Sequence, residues 1–336
     1  MTDPESGRLA ARAYWIAAPG RGELRAETLA PPTGDEALVA TRVSAISRGT
    51  EALVFGGRVP ESQYLAMRCP AQAGDFPAPV KYGYASVGTV VAAGRTAPLA
   101  LGTRVFSLFP HQDRYVVPVA QLHPIPAGVP DDRAALAANM ETALNALWDG
   151  APRIGDRIVV VGAGVVGCCV AALAAGIPAT TVTLVDRNPA RAALAEAFGA
   201  VFALPDDAPG DADLVFHASG SGAGLATALR LAGFEARIVE LSWYGDAPVS
   251  VPLGEDFHPR RLTLVSSQVG HVAAERRARR SRRERLAQAL ALLADPRYDR
   301  LLDGQVAFAD LPAAMARIAD PTEDVLCRLV RYDPTR

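Results

Sequence analysis

The sequence has few of the features that mark membrane or secreted proteins. No apolar run among its 336 residues approaches the roughly 18 residues that a membrane-spanning helix needs. The polar start of the chain, which carries Asp3 and Glu5, does not resemble a secretion signal. The chain has four cysteines, and the adjacent pair Cys168–Cys169 lies in an apolar, helix-like stretch where both thiols cannot face one partner. We therefore expect reduced thiols in a cytoplasmic protein that has no membrane partner.

An excess of charge of one sign is also absent. The chain has 34 Lys plus Arg and 36 Asp plus Glu residues, giving a formal net charge of −2, which excludes a generally basic nucleic-acid-binding protein. We expect no nucleic-acid partner. Lysine is almost missing, because Lys81 is the single lysine and every other basic residue is an arginine. A GC-rich genome explains this bias, so it gives Lys81 little functional weight.

Two patterns of predicted secondary structure divide the chain. Up to about residue 125, short β-prone segments alternate with Pro and Gly turn signals, which indicates an all-β, barrel-like domain. From Asp132 onwards, helical segments alternate with β-branched strands such as Asp156–Val161 and Thr181–Val185, which indicates a doubly wound parallel sheet. The composition, 50% hydrophobic and 21% charged, is that of a globular protein, and the length allows about two domains.

A glycine-rich turn carries the clearest chemical signal. Residues 158–167 read IVVVGAGVVG, so Gly162, Gly164 and Gly167 fit G-x-G-x-x-G between a predicted strand and a predicted helix. In this pattern the first glycine permits a tight turn, the second lets the backbone approach a pyrophosphate, and the third allows the helix to pack closely on the strand. The helix N-terminus supplies N–H donors for the phosphates. The sequence therefore predicts a dinucleotide site, in preference to a glycine-rich turn of another α/β fold.

An acidic residue follows at the distance that this interpretation requires. Asp186 ends the next predicted strand, 19 residues after Gly167. Its carboxylate can accept hydrogen bonds from the adenosine ribose and would repel a ribose phosphate, which favours NAD(H). Arg187 follows directly and can meet a phosphate, so NADP(H) stays open.

Together these features resemble the medium-chain dehydrogenase/reductase (alcohol dehydrogenase-like) family over nearly the whole chain. Leu101–Phe106 (LGTRVF) and Val87–Val91 (VGTVV) are similar to two of its strand motifs. The resemblance implies an α/β protein in which a GroES-like β-barrel catalytic domain precedes a Rossmann doubly wound parallel sheet. The expected bounds are 1–135 for the catalytic domain, 136–298 for the dinucleotide-binding domain and 299–336 for a C-terminal return. It also implies a homodimer through the nucleotide-binding domain. Two short stretches, Gly49–Pro60 and Tyr82–Gly88, resemble the bacteriochlorophyllide dehydrogenase branch.

The sequence departs from this family at the zinc ligands. Where zinc-dependent members have Cys-x-Thr-Asp-x-His, the chain reads ISRGTEAL at 46–53, so the Cys position is Ser47 or Arg48 and the His position is Ala52 or Leu53. The family's Gly-His-Glu reads Gly-Tyr-Ala at 83–85, and the Cys-rich loop of a structural zinc is missing. Zinc prefers Cys, His and carboxylate ligands. We therefore expect no zinc.

The resemblance also implies which residues surround the substrate and the cofactor. The pocket left without a metal would be lined by polar candidates for catalysis, Tyr84, His111, Ser47, Thr50 and Glu51, together with Phe109 and Glu141 as substrate-pocket residues. A phenol donates to a substrate oxygen, and a histidine titrates near neutrality. Each also has a plain structural interpretation, in which Tyr84 is a core aromatic, His111 a loop histidine and Glu51 a partner of Arg48. The cofactor candidates are Gly162, Gly164, Val165, Val166, Gly167, Asp186, Arg187, Thr142, Ala218, Ser219, Gly220, Leu241 and Gln268.

A run of seven arginines lies in ERRARRSRRER at 275–285. The plain interpretation is a solvated helical face before the predicted helix Leu286–Leu293. The alternative is a site for an anionic substrate or partner.

Three functions are compatible with these residues. The first is a zinc-independent NAD(P)(H)-dependent oxidoreductase that transfers hydride between nicotinamide and an alcohol or carbonyl group of an organic, bulky or anionic small-molecule substrate. The second is an NADPH-dependent enone or quinone reductase. The third is a nucleotide-binding protein without catalysis.

Overall fold

The computed structural model describes residues 8–333. They fall into two compact units, residues 8–138 with 301–333, and residues 139–300. Asp3 and Glu5, on which the interpretation of the chain start rests, lie outside the described residues. All four cysteines are free and buried. Within residues 8–333, no helix has the length and apolar character needed to cross a bilayer.

The first unit consists mainly of antiparallel strands. Its elements in chain order are β1 (Leu9–Ala18), β2 (Arg21–Leu29), β3 (Glu36–Ile46), α1 (Arg48–Phe55), β4 (Ala73–Gly74), β5 (Val80–Lys81), β6 (Ser86–Ala93), β7 (Arg104–Ser107), β8 (Arg114–Pro118), β9 (His123–Pro124) and α2 (Asp131–Ala134). Short 3-10 turns occupy Glu61–Gln63 and Val119–Gln121.

The second unit alternates helices and strands. Its elements are α3 (Ala137–Gly150), β10 (Arg157–Val161), α4 (Val165–Ala175), β11 (Thr181–Val185), α5 (Ala192–Ala197), β12 (Val201–Ala203), β13 (Ala212–His217), α6 (Gly222–Leu231), β14 (Ala232–Glu240), β15 (Thr263–Ser266) and α7 (Arg282–Leu292). Short 3-10 turns occupy Pro189–Arg191 and Pro296–Leu301, and a π-helical turn occupies Leu253–Phe257. The chain then returns to the first unit with β16 (Leu302–Ala307), a 3-10 turn (Phe308–Asp310), α8 (Leu311–Ile318) and β17 (Cys327–Arg331).

Strand β3 organises the first unit. It pairs antiparallel with β6 on one side, and with β8 and β17 on the other, in a seven-stranded sheet of order β16-β17-β3-β6-β7-β9 with β8 paired to β3. Alternate apolar residues of β3, such as Ala37 and Val39, are buried with Val90, Val105 and Tyr115. A second sheet has the order β2-β1-β5-β4. The chain end therefore completes a sheet that the N-terminal strands begin.

The second unit is a six-stranded parallel sheet of order β12-β11-β10-β13-β14-β15. The β-branched runs of β10 and β11 suit central strands with buried faces. The order reverses between β10 and β13, and a crevice forms at the carboxyl edge of such a sheet where the order reverses. The two-part α/β fold predicted from the sequence is confirmed, with a Rossmann sheet and a separate sheet unit.

Two helices differ from their predicted bounds. The helical pattern from Asp132 to Trp148 forms two helices, α2 and α3, because the chain makes a tight turn in which the Leu136 N–H donates to the Arg133 carbonyl. Helix α7 begins before the predicted Leu286, because Ser281 and Glu284 form a capping box. The arginine run therefore extends into the helix.

Candidate functional site

The glycine turn after β10 forms an open cradle of N–H donors. Gly162 has a φ of +108°, and a Cβ there would lie 2.7 Å from the Ser219 backbone, while a Cβ at Gly167 would overlap the Gly162 carbonyl oxygen. Gly164, the N-cap of α4, has nothing within 4 Å of a would-be Cβ. Within residues 8–333, the N–H groups of Val165 and Val166 donate to no acceptor. These features suit a phosphate held against the helix N-terminus.

Asp186 holds this turn in place. One carboxylate oxygen accepts from the Ala163 N–H at 2.7 Å and the other from the Asn188 N–H at 2.9 Å. The negative charge therefore lies at the carboxyl end of β11, beside the cradle. Arg187 is exposed and forms no hydrogen bond or ion pair within the described part of the chain.

The other cofactor candidates lie mostly along the same edge of the sheet. Ala218–Gly220 follow β13, and Leu241 follows β14 and donates its N–H to the His217 carbonyl. Gln268 is exposed beyond β15, and Thr142 is on α3. The structure thus gathers the candidates from β10, β11, β13, β14 and β15, because the carboxyl ends of parallel strands meet at one edge.

A buried histidine at this edge has partners that the sequence did not reveal. His217 is fully buried, and its Nδ1 lies 2.8 Å from a carboxylate oxygen of Glu240. Its Nε2 lies 2.6 Å from the Ser219 Oγ. The Tyr244 hydroxyl donates to Glu240 at 2.9 Å, and its ring stacks on His217. His217 and Glu240 end neighbouring strands in register, which only the strand order shows.

Glu240 should make stability depend on pH. Partial burial raises the pKa of its carboxyl, but hydrogen bonds and charge from His217 and hydrogen bonds from Ser242 outweigh this, so that the pKa lies below its ordinary value. The carboxylate therefore stabilises the folded state above the pKa of an unfolded Glu, about 4.3, and this contribution is lost as the pH falls through the lower folded value.

We expect Glu240→Gln to lower the free energy of unfolding at neutral pH by about 1–3 kcal/mol and to weaken the loss of stability on acidification. Urea unfolding at pH values above and below about 4 measures both effects. Asp246→Asn, which removes an exposed carboxylate, is the matched control. An acid dependence in Glu240→Gln equal to that of the wild type contradicts the prediction.

In the first unit, the structure brings the five catalytic candidates together in two layers. The inner layer is buried: His111 Nε2 lies 2.8 Å from Glu51, whose other carboxylate oxygen accepts from the Ser47 N–H at 2.8 Å. His111 Nδ1 lies 2.7 Å from the Ser44 Oγ, which lies 2.9 Å from the Tyr332 hydroxyl. Because an ionised carboxylate only accepts, Nε2 carries the proton. Nδ1 therefore accepts from the Ser44 hydroxyl, which in turn accepts from the Tyr332 hydroxyl.

The outer layer is partly exposed. The Tyr84 hydroxyl is hydrogen-bonded to the side chains of Ser47 and Thr50, and burial of the ring together with the charge of Glu51 raises the pKa of Tyr84 above its ordinary value. The phenol therefore keeps its proton at neutral pH and is suited to donate it in a hydrogen bond. Glu51 lies in the first turn of α1, where a negative charge is favourable.

Some candidates have different surroundings from those predicted. His111 cannot exchange a proton with a substrate directly, because it is 1% exposed and both ring nitrogens are engaged. Phe109 is buried in the core of the first unit, where it stacks on Tyr115 at 3.8 Å. Arg48 is not the partner of Glu51. It donates to the carbonyls of residues 318, 320 and 325 instead.

Glu141 lies in the interior of the second unit. It is buried in the second unit and accepts from Arg285 at 3.0 Å. Arg285, 1% exposed, also donates to the Asn145 side chain and to the carbonyls of Val269 and His271. The last arginine of the run is therefore a buried structural residue, whereas residues 276–283 are exposed as the solvated interpretation predicts.

The residues at the family's zinc positions do not fit zinc. Ser47 and Tyr84 offer neutral hydroxyls, and Leu53 is a buried apolar residue. Burial raises the pKa of the nearby Cys69 to about 12, so its thiol keeps its proton. Within residues 8–333, no three His, Cys, Asp or Glu side chains form a group that could hold a metal ion.

Two curated proteins are similar to parts of this chain. The 2-dehydro-3-deoxy-L-galactonate 5-dehydrogenase of Pseudoalteromonas atlantica is 28% identical over 173 residues, which cover 48% of this chain and 50% of that protein. The L-threonine 3-dehydrogenase of Bacillus licheniformis is 27% identical over 218 residues, which cover 57% of this chain and 62% of that protein. The chain thus spans between half and two thirds of the length of these relatives. No protein-family model matches it.

Solved structures share the fold over almost the whole chain. A protein of Sinorhizobium meliloti 1021, described as a zinc-binding dehydrogenase and bound to NADP, has a TM-score of 0.76 at 20% identity and covers 96% of this chain and 99% of its own. An alcohol dehydrogenase of Escherichia coli CFT073, complexed with NADH, has a TM-score of 0.74 at 17% identity with the same coverage. The fold is that of the alcohol dehydrogenase-like medium-chain dehydrogenases/reductases, and the curated relatives support the predicted family. The narrower resemblance to the bacteriochlorophyllide dehydrogenase branch stays a prediction.

Proposed function

We propose that this chain is an oxidoreductase that transfers hydride between a nicotinamide cofactor and an alcohol or carbonyl group of an organic substrate, without zinc. The observation that carries the proposal is the cradle after β10, where Gly164 leaves open space and the N–H groups of Val165 and Val166 have no acceptor within residues 8–333. Dehydrogenase activity in both curated relatives supports it. The negative charge of Asp186 favours NAD(H).

When bound, the nicotinamide would supply or accept the hydride. Tyr84 donates a hydrogen bond to the substrate oxygen, while Ser47 and Thr50 fix the position of its hydroxyl. Glu51 and His111 are positioning residues. His111 holds the Glu51 carboxylate, which accepts from the Ser47 N–H. This contact fixes the start of α1 beside Tyr84. A homodimer through the second unit and a cytoplasmic location are further proposals that rest on the family resemblance.

The cofactor preference separates this proposal from its alternatives. Protein of measured metal content is titrated with NADH and with NADPH, followed by protein fluorescence. We expect NADH to bind more tightly to a protein that contains no zinc. A preference for NADPH indicates the enone or quinone reductase, in which the free Arg187 contacts the ribose phosphate. Stoichiometric zinc contradicts the zinc-free mechanism, and binding of neither nucleotide indicates a protein without this activity.

Removal of the Tyr84 hydroxyl should slow turnover selectively. We expect Tyr84→Phe to lower kcat by about 10²-fold or more, since a positioned proton donor contributes factors of this size. NADH affinity should not change, because the cradle belongs to the second unit. Tyr64→Phe removes a phenol hydroxyl elsewhere in the same unit and serves as the control. Wild-type turnover by Tyr84→Phe would remove Tyr84 from the mechanism.

A further inference from the structure

Three side chains at the carboxyl edge of the second unit have the arrangement of a nucleophile, a base and an orienting acid. Ser219 is exposed, and its Oγ lies 2.6 Å from Nε2 of the buried His217. Nδ1 of the same ring lies 2.8 Å and 2.9 Å from the two carboxylate oxygens of Glu240. Such a constellation is recognised by geometry and roles, whatever the order of its residues along the chain.

The hydrogen-bond partners fix the tautomer that this chemistry requires. The Glu240 carboxylate also accepts from the Ser242 N–H and the Tyr244 hydroxyl, so it acts as an acceptor throughout. The proton of His217 therefore lies on Nδ1, and Nε2 is left to accept from Ser219. The Tyr244 ring lies nearly parallel to the imidazole, with the ring centroids 6.4 Å apart.

Donors for a developing oxyanion lie beside the serine. The Ser221 N–H donates to the Ser219 Oγ at 3.3 Å, and the Ser221 hydroxyl lies 3.0 Å from the same oxygen, so these two groups hold the serine and are not the oxyanion donors. Within residues 8–333, the N–H groups of Gly222 and Ala223, which open α6, donate to no acceptor. Backbone N–H groups of this kind stabilise the tetrahedral intermediate of acyl transfer.

Gly224, in the first turn of α6, has no side chain and so leaves room for Ser219. A Cβ at Gly224 would overlap the Ser219 Oγ and lie 2.8 Å from Nε2 of His217. Any larger residue at this position would push the hydroxyl off the imidazole.

From this geometry we infer that Ser219, His217 and Glu240 form an acyl-transfer site for small carboxylic esters. The Ser219 Oγ attacks the ester carbonyl while its proton passes to Nε2 of His217. The carbon–oxygen bond to the leaving alcohol then breaks, and the alcohol takes that proton. Water, deprotonated by the same nitrogen, releases the carboxylic acid and restores the serine. This reaction needs no nucleotide, although Ser219 is also one of the cofactor candidates at this edge of the sheet.

Covalent labelling of the full chain tests the inference without a nucleotide. Diisopropyl fluorophosphate should phosphorylate the Ser219 Oγ with loss of fluoride, giving one label per chain that peptide mass mapping places on Ser219. The protein should also hydrolyse p-nitrophenyl acetate above the buffer rate, with little background from lysine acylation, because the single lysine is buried.

Variants separate this site from general reactivity. Ser219→Ala should lose the label and about 10²-fold or more of the hydrolysis rate, and Glu240→Gln should lower the rate while keeping Ser219 in place. Ser250→Ala, which removes an exposed hydroxyl from the same unit, should match the wild type. Absence of label on Ser219 in the wild type, or full hydrolysis by Ser219→Ala, overturns the inference. Neither result depends on whether NADH binds.

Discussion

Replacing Arg285 with methionine should destabilise the second unit by about 3–5 kcal/mol. The guanidinium is almost fully buried and is shared by Glu141, Asn145 and the carbonyls of Val269 and His271. Burial raises the pKa of Glu141, while Arg285 counteracts that rise, so the substitution leaves an uncompensated acid and several unsatisfied oxygens in the interior. For a unit of this size the melting temperature should fall by roughly 10 °C.

A double substitution distinguishes the buried charge from simple loss of packing. Replacing Glu141 with leucine as well removes the orphaned acid, and the pair Glu141→Leu/Arg285→Met should recover part of the lost stability. Arg282→Met is the control, because Arg282 belongs to the same helix but is exposed, and it should change stability by no more than about 0.5 kcal/mol. Equal melting temperatures for Arg282→Met and Arg285→Met would show that the buried contacts contribute little.

Placing an aspartate at Gly164 should strongly weaken cofactor binding without weakening the fold. Gly164 is the N-cap of α4, has an ordinary negative φ of −77° and has open space around a would-be Cβ. Aspartate is a good N-cap residue, so the helix should be slightly stabilised. The added charge lies where the pyrophosphate would approach, and we expect the affinity for NADH to fall at least about 100-fold, which corresponds to about 2.7 kcal/mol.

Fluorescence titration and thermal unfolding of the same samples measure the two effects together. Gly210→Asp is the matched control, because Gly210 is exposed in the same unit and also has open space around a would-be Cβ. It should leave both NADH affinity and stability unchanged. Unaltered NADH binding by Gly164→Asp would mean that the phosphates bind elsewhere on the molecule.

The cofactor cradle could be predicted from the sequence because its parts are close together along the chain. Gly162, Gly164 and Gly167 lie in one strand–turn–helix segment, and Asp186 ends the next strand. A glycine pattern reports a backbone requirement directly. In the structure a Cβ at Gly167 would overlap the Gly162 carbonyl oxygen, which no larger residue tolerates.

In the first unit, the roles of the polar residues could not be predicted from the sequence. The sequence was sufficient to select the polar candidates, which are Tyr84, Ser47, Thr50, Glu51 and His111. It was not sufficient to assign the role of each one. His111 is 60 residues from Glu51, and the Ser44–Tyr332 contact joins residues 288 positions apart. Burial converts His111 from a candidate proton shuttle into a residue that holds Glu51, and burial depends on how β3, β8 and β17 pair.

The sequence by itself determined the alternation of strands and helices, the glycine turn and its acidic partner, since periodicity and turn chemistry act over a few neighbouring residues. Only the tertiary structure decided that Arg285 enters the core to meet Glu141, 144 residues away, and that Glu240 meets His217 across neighbouring strands. The physical reason is that a buried charge is stable only beside its partner, and strand order and helix docking select that partner. The contact with Glu240 also orients the imidazole, whose other nitrogen meets Ser219 two residues along the chain.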